Sequence, residues 1–332
     1  MAERQRVLLL GATGETGGSI LEALLEAGQF DVEIMVRPRS AEKPAVKQIA
    51  NRGIKVRVSD LAAPEAQLVA TLSGIDTFIS AIGADDLIQQ KSLVRAAKAA
   101  GVKRFVPCAF ITVAPPTGVM LLRDEKEVIY NEIKRLVLPY TVIDVGFWHQ
   151  FSYPRLPSGR VDYAMMMPNS TIHGDGSAPN LLTDLRDVGP FVARIIADDR
   201  TLNKYIYTWS DVLSENEIFN IVEEMSGEKI EREYESAQEV EQKVAAAASN
   251  LAQNPDIPMG RLQRYVTDYP YSKYVRGDNQ PSYAKYLGYL DARELYPGFK
   301  PISFRDFFAE VLAGKGRKPY SGAPPAGKVA DL

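Results

Sequence analysis

A glycine-rich turn near the N-terminus constrains the fold of this chain more than any other feature. The run Gly11-Ala12-Thr13-Gly14-Glu15-Thr16-Gly17 follows an apolar stretch, Val7–Leu10, and precedes a helix-like segment that ends at Ala27. Glycines three residues apart allow a sharp strand-to-helix turn and a close approach of backbone amides to a pyrophosphate, which the helix dipole also favours. The turn therefore predicts a dinucleotide site, with a purely structural turn as the alternative. Its expected contacts are Gly11, Thr13, Gly14, Glu15, Thr16 and Gly17.

The order of apolar segments over residues 6–146 predicts a Rossmann-type α/β domain. Short apolar runs alternate with amphipathic stretches, which is the pattern of βαβ units around a parallel sheet. We therefore expect a doubly wound parallel sheet in residues 1–150. Its predicted strands are Val7–Leu10, Val32–Val36, Lys55–Val58, Thr77–Ile82, Arg104–Pro107 and Tyr140–Val145.

The rest of the chain is less regular and predicts a smaller, interleaved C-terminal substrate lobe over residues 151–315. Residues 185–210 contain a helical pattern followed by an alternating strand, Lys204–Trp209, which is expected to return to the Rossmann sheet. Ser214 and Glu217 have the spacing of a capping box at the start of a helix. Residues 316–332 carry almost no large apolar side chains and predict a flexible tail.

A basic residue stands where NAD-specific sites carry an acidic one. About 20 residues after the glycine turn, an Asp or Glu ordinarily binds the ribose 2′-hydroxyl. Here that place holds Arg37, with Arg39 and Lys43 following. Because an arginine fork matches a phosphate and not a neutral diol, Arg37 predicts NADP(H), with Lys43 as a second candidate contact. The alternative for each is a solvated turn.

Two further loops should reach the same edge of the sheet. Asp60 follows the third predicted strand, where adenine is usually contacted, and Ala81 and Gly83 follow the fourth, where backbone passes close to the cofactor. Each loop could equally be free of any ligand.

Composition argues against several other classes of protein. The formal net charge is -3, and the basic residues are scattered, so nothing indicates a nucleic acid or an anionic membrane as partner. One cysteine and two histidines provide neither a disulfide framework nor a ligand set for a metal. The N-terminal apolar run is too short for a signal peptide or a membrane span. We expect a cytoplasmic protein.

An ordered set of motifs resembles the isoflavone reductase-like group of the NmrA-like atypical short-chain dehydrogenases, which includes the phenylcoumaran benzylic ether reductases. The motifs are the glycine turn, Val36-Arg37-Pro38, Gly101–Pro107, Asp124-Glu125-Lys126 and Leu138–Thr141, and the stretch from Asp144 to Gly159 looks most like the fungal branch. The resemblance implies an NADPH-dependent reductase with Lys126 as acid/base. It also implies that Phe110 packs near the nicotinamide, although the polar pair that precedes this phenylalanine in the plant enzymes is replaced by Cys108-Ala109.

Other residues compete with Lys126 or accompany it. A lysine at the start of a helix in a partly dry cleft suits proton exchange, but an exposed lysine in a charged turn is the alternative. Tyr130 and Lys134 spell the Tyr-x-x-x-Lys pair of ordinary short-chain dehydrogenases; we interpret Lys134 as coincidence and keep Tyr130 as a candidate helper. After the sixth strand, Phe147 is a candidate neighbour of the nicotinamide and His149 a candidate proton relay.

The leading hypothesis is a reductase that transfers hydride to a carbonyl, enone or benzylic carbon of an aromatic secondary metabolite. The first alternative is a non-catalytic NmrA-like sensor of the NADP(H) ratio. The second is an isomerase or lyase that retains its cofactor. The expected partner is a small aromatic molecule, and a homodimer is compatible with the sequence.

Overall fold

A parallel sheet organises the computed structural model, which describes residues 4–166, 170–255 and 258–321. The described strands are β1 (Gln5–Leu10), β2 (Phe30–Val36), β3 (Lys55–Val58), β4 (Thr77–Ser80), β5 (Arg104–Val106), β6 (Thr141–Asp144), β7 (Phe147–Trp148), β8 (Thr171–His173), β9 (Asn180–Thr183), β10 (Lys204–Tyr207), β11 (Asp211–Leu213), β12 (Glu233–Glu235) and β13 (Leu290–Asp291).

The helices connect these strands and cover them. They are α1 (Glu15–Ala27), α2 (Pro38–Ala41), α3 (Pro44–Asn51), α4 (Glu65–Leu72), α5 (Gln90–Ala99), α6 (Leu121–Arg135), α7 (Leu185–Ile196), α8 (Glu215–Ser226), α9 (Ala237–Gln253), α10 (Pro258–Pro270), α11 (Pro281–Tyr286), α12 (Ala292–Leu295) and α13 (Phe304–Leu312). Short 3₁₀ turns span Ala84–Gln89, His149–Phe151, Asp162–Ala164 and Asp199–Thr201, and Tyr271–Val275 forms one π-helical turn.

The main sheet has the order β3-β2-β1-β4-β5, and all its pairings are parallel. A single bridge between Phe105 and Tyr140 links it to a second parallel sheet of order β13-β10-β6. Strands from late in the chain therefore extend the sheet that the N-terminal strands begin.

Helices cover both faces of this sheet, as a doubly wound fold requires. In β1, Val7 and Leu9 pack on the side of α1 and α7, whereas Leu8 and Leu10 pack on the side of α4, α5 and α6. All four side chains are buried, which explains why this strand reads as a continuous apolar run.

Helices α1 and α7 cross at very close range, although they lie far apart in the sequence. The amide of Gly189 donates to Ser19 Oγ over 2.9 Å. A Cβ atom on Gly189 would lie 1.9 Å from the carbonyl oxygen of Ser19, so only glycine allows this crossing. The helix that carries the glycine turn is thus seated on α7.

The second lobe has its own core. Strands β7, β9 and β11 form a small mixed sheet, and β8 pairs with β12. Aromatic side chains of α13 pack against α8 and the 151–165 region, among them Phe304, Phe307 and Phe308. The capping box predicted for Ser214 and Glu217 is present at the start of α8, with both reciprocal hydrogen bonds formed.

Candidate active site

The glycine turn joins β1 to α1 in a tight conformation. The amide of Gly14 donates to the carbonyl of Gly11 over 3.0 Å, and α1 begins at the next residue, Glu15. A Cβ atom on Gly17 would lie 2.1 Å from the Gly11 carbonyl oxygen, so a larger residue would force the turn open. The amides of the first helical turn have no partners within the helix. The turn therefore fits a diphosphate.

A cavity of about 180 Å³, which we call the outer cavity, opens over this turn. Arg37, at the end of β2, lines it together with Gly11, Thr13, Gly14 and Ser40. Arg37 Nη1 pairs with the carboxylate of Asp86, and Arg39 Nη2 lies 3.9 Å from the same group. Arg37 is thus placed beside the turn, where an incoming phosphate would compete with Asp86.

A second cavity of about 240 Å³, the inner cavity, adjoins the first across Ala81 and Gly83. It brings together six of the predicted residues, namely Thr16, Ala81, Gly83, Phe110, Lys126 and Phe147. The other walls are largely apolar and aromatic, with Ile82, Trp148, Phe151 and Tyr269. A larger cavity of about 740 Å³ lies at the opposite edge of the sheet, beside residues 4–6 and 74–77, and none of the predicted residues lines it.

Lys126 lines the inner cavity among these apolar side chains. It is 3% exposed, and its Nζ donates to the carbonyl of Cys108 over 2.7 Å. Helix α6 begins at Leu121, so Lys126 lies in its second turn and not at its start as the sequence predicted. Because the helix dipole acts mainly within the first turn, it has little influence on this amine.

A buried ionic network fixes the start of α6. Arg123 is 1% exposed and donates from Nε to Glu127, from Nη1 to Asp144 and from Nη2 to the Tyr289 hydroxyl, over 3.0, 2.7 and 2.7 Å. These bonds tie α6 to β6 and to the segment before β13. The position of Lys126, three residues further on, is therefore held from two sides.

Phe110 reaches the inner cavity through an uncommon backbone conformation. Its φ angle is 49°, in a region that bulky residues rarely adopt. Its amide donates to the carbonyl of Ile143 over 2.9 Å, so the segment after β5 is held against β6. Strained backbone of this kind tends to occur at functional sites.

The structure does not bring Tyr130 to either cavity. The helical period places it on the same face of α6 as Lys126, but one turn further along, where the helix covers the core. Tyr130 is buried against Tyr205, with ring centroids 6.0 Å apart, and its hydroxyl has no hydrogen-bond partner among the described residues. Burial raises the pKa of Tyr130 well above its ordinary value. We remove it from the candidate set.

His149 also lies elsewhere, in the core of the second lobe. It is fully buried, with its ring 5.5 and 5.6 Å from those of Phe304 and Phe307. Its ring nitrogens lie 4.0 Å from Asp184 and 3.7 Å from Asp211, beyond hydrogen-bond distance. Burial lowers the pKa of His149 to about 4. A neutral ring that lines neither cavity does not suit a proton relay.

Two of the predicted cofactor contacts are exposed and line neither cavity. Lys43 precedes α3, and its carbonyl accepts from the amide of Val46. Asp60 accepts from the amide of Ala62 over 2.9 Å and so closes its own turn. Both observations match the solvated-turn alternative.

The carboxylate of Glu15 contacts a part of the chain that the sequence did not implicate. It pairs with Arg317 and accepts from the amide of Tyr320 over 2.6 Å. Tyr320 also lines the inner cavity, with its ring centroid 6.3 Å from that of Trp148. Arg317 and Tyr320 belong to residues 316–332, for which the sequence predicts a flexible tail, and both contact Glu15. Residues 322–332 lie outside the described part.

Sequence signals for the missed side chains are weak. Tyr269 lies in a tyrosine-rich stretch between Tyr265 and Tyr296, which is a general hint of an aromatic wall. Arg317 and Tyr320 have no periodic pattern around them, so nothing in the sequence points to their contacts. Within the described ranges, no three potential metal ligands cluster together, and no helix is long and apolar enough to cross a membrane.

Comparisons with known proteins agree with this architecture. The chain is 43% identical over 314 residues to asnovolin J 5′,6′-dehydrogenase of Aspergillus novofumigatus, covering 93% of this chain and 95% of that protein. It is 27% identical to phenylcoumaran benzylic ether reductase Pyrc5 of Pyrus communis, covering 94% and 100%. A solved leucoanthocyanidin reductase–NADPH complex from Vitis vinifera superimposes with a TM-score of 0.77 at 24% identity, over 93% and 99% of the two chains. Since the NmrA-like family model also matches residues 3–307, the chain belongs to the NmrA-like family.

Proposed function

We propose that this protein is an NADP(H)-dependent oxidoreductase that acts on an aromatic or conjugated small molecule at the inner cavity. The observation that carries the proposal is the isolation of Lys126. Among the described residues that line the inner cavity it is the one charged side chain, and six of the other lining residues are aromatic. Such a cavity favours a flat apolar ligand with one oxygen near the amine.

The outer cavity is the proposed cofactor site. The amides of the glycine turn would hold the diphosphate, and Arg37 would hold the 2′-phosphate once Asp86 releases it. The Vitis vinifera neighbour, which is a complex with NADPH, supports this choice of cofactor. When bound, the nicotinamide supplies or accepts the hydride.

In the reductive direction, Lys126 would give a proton to the oxygen that develops negative charge on the substrate. The carbonyl of Cys108 accepts one hydrogen bond from Nζ and thereby orients the amine. Phe110 and Phe147 would hold the substrate ring and exclude water. A carbonyl, enone or benzylic carbon next to such an oxygen is the proposed hydride acceptor.

The oxidative direction is a second candidate, which the Aspergillus relative favours because its name describes a dehydrogenase. The same geometry serves it, with Lys126 accepting the proton while hydride leaves the substrate. A sensor without chemistry would have no use for an amine at the centre of an apolar cavity, although it would share the cofactor site.

The experiment compares Lys126→Met with Tyr130→Phe. NADPH oxidation is followed with a panel of aromatic ketones, enones and benzylic ethers, and NADP⁺ reduction with the corresponding reduced compounds. Loss of the proton donor should lower kcat by about 10²- to 10⁴-fold without changing cofactor affinity. Tyr130→Phe should retain activity because Tyr130 lines neither cavity.

Three outcomes would contradict the proposal. Full activity of Lys126→Met would remove the acid/base role. Tight NADPH binding with no turnover of the whole panel in either direction would favour a redox sensor. Product formation without net consumption of NADPH would indicate an isomerase or lyase.

A further inference from the structure

The chain beyond α13 crosses the molecule and reaches the glycine turn. We call residues 315–321 the C-terminal strap. The strap is attached at its start, where the amide of Gly316 donates to the Tyr163 hydroxyl over 2.8 Å, and that hydroxyl donates to the carbonyl of Val311 over 2.7 Å. The start of the strap is therefore held by the second lobe.

The far end of the strap is attached at Glu15, the first residue of α1. Both oxygens of this carboxylate contact the Arg317 guanidinium, and one also accepts from the Tyr320 amide. The Glu15 side chain is 6% exposed and that of Arg317 is 25% exposed, so the carboxylate of this ion pair is largely withdrawn from water. The end of the described chain thus contacts the first residue of α1.

The location of Glu15 poses an electrostatic problem for the proposed cofactor. A diphosphate on the glycine turn would lie close to this carboxylate, and like charges in a partly buried site repel strongly. Arg317 removes that repulsion because it neutralises the carboxylate through a fork-shaped contact. The turn by itself carries the negative charge, and the strap supplies the positive one.

Tyr320 extends the contact toward the inner cavity. Its side chain is 63% exposed although its ring approaches Trp148, and it lines the inner cavity. It also lines a cavity on the other side of the turn, which contains Thr13, Gly14 and Glu15. Tyr320 thus lies between the inner cavity and this further cavity beside the glycine turn.

We propose that the C-terminal strap is part of the dinucleotide site, and that Arg317 is a positioning residue that makes the glycine turn accept a diphosphate by neutralising Glu15. This inference rests on the proposed NADP(H) function and adds to it a cofactor determinant from the end of the chain. Binding should therefore depend on Arg317 only as long as residue 15 is acidic.

The test measures the Kd for NADPH by fluorescence titration of the full chain. Variants are Arg317→Met, Glu15→Gln, the double variant, and Arg305→Met as the matched control. Arg305 is also an arginine that donates two bonds to one glutamate, Glu224, but on the exposed side of α13. Thermal unfolding of each variant verifies that the fold is retained.

Arg317→Met should raise the Kd by about 10- to 100-fold, the range expected when a hydrogen-bonded charge loses its partner. Arg305→Met should leave the Kd unchanged. Glu15→Gln alone should bind NADPH at least as tightly as the unaltered chain, and in that background most of the effect of Arg317→Met should disappear. A strap that needs the ion pair only for its attachment would instead lose affinity in Glu15→Gln as well.

Unchanged NADPH binding by Arg317→Met would overturn the inference. Tighter binding would also overturn it, because it would mean that the strap competes with the cofactor. An equal loss with and without Glu15→Gln would overturn the neutralising role. Absence of NADPH binding by the unaltered chain would overturn both this inference and the proposed function, whereas equal affinities of the unaltered chain and Arg317→Met would overturn the inference alone.

Discussion

The buried histidine of the second lobe gives the most quantitative prediction. Burial lowers the pKa of His149 from 6.5 to about 4, and neither Asp184 nor Asp211 lies within hydrogen-bond distance of its ring. Of the acidic groups that face it, Asp184 is paired with Arg186, which lowers the pKa of that carboxyl despite burial, while burial raises the pKa of Asp211. The ring is therefore neutral in the folded chain at pH 7.

This difference makes stability depend on pH with a definite sign. The unfolded chain binds a proton at His149 below about pH 6.5, whereas the folded chain does so only near pH 4. The stability that the neutral His149 ring allows is therefore present at pH 7 and is lost as the pH falls toward 4. Linkage gives a loss of about 2 kcal/mol between pH 7 and pH 5, and about 3 kcal/mol once both states are protonated.

The assay uses the presence of only two histidines, His149 and His173. In a histidine-labelled sample, NMR should show one ring signal that stays neutral down to pH 5, and His149→Phe should remove it. Urea unfolding should then show that the stability of His149→Phe falls less between pH 7 and pH 5 than that of the unaltered chain, by about 2 kcal/mol. Titration of His149 near pH 6.5, or a shift of its signal on adding NADPH, would refute the reasoning and restore its candidacy as a proton relay.

Two further predictions concern the cofactor and the helix that carries Lys126. Arg37→Met should weaken the binding of NADPH by about 10- to 100-fold and leave the binding of NADH nearly unchanged. Of the two cofactors only NADPH carries the 2′-phosphate, which would replace Asp86 as the partner of Arg37. Equal affinity of the unaltered chain for both cofactors would contradict this prediction. Arg123→Met should cost about 3 to 5 kcal/mol in the free energy of unfolding because it removes the cationic partner of the fully buried Asp144. Chemical denaturation should show a loss below about 1 kcal/mol for Arg95→Met, which breaks an exposed pair, and similar losses for both would argue against the network.

The fold was predictable because its signals are local. Most of the predicted strands of the Rossmann domain are apolar runs bounded by turn residues, and the glycine turn specifies which way the chain leaves β1. The capping box of α8 is encoded in the short run from Ser214 to Glu217. Parallel strands place their carboxyl ends at one edge, so the meeting of Thr16, Gly83 and Lys126 follows from the order of elements.

The remainder of the site depends on what covers each residue, which spacing cannot give. The helical period places Tyr130 and Lys126 on one face of α6, but Tyr205 on β10 covers the first and an open cavity adjoins the second. His149 follows a strand that ends near the cavity, yet the aromatic side chains of α13 enclose it. The partner of Glu15 lies 302 residues away, where no periodic pattern marks it.

The close crossing of α1 and α7 means that the helix after the glycine turn completes its packing only after α7 has been synthesised. While strands β1 to β6 leave the ribosome, the face of α1 that packs on Gly189 has nothing to rest on. A chain stopped before residue 185 would therefore carry the glycine turn on a helix that lacks its packing against α7.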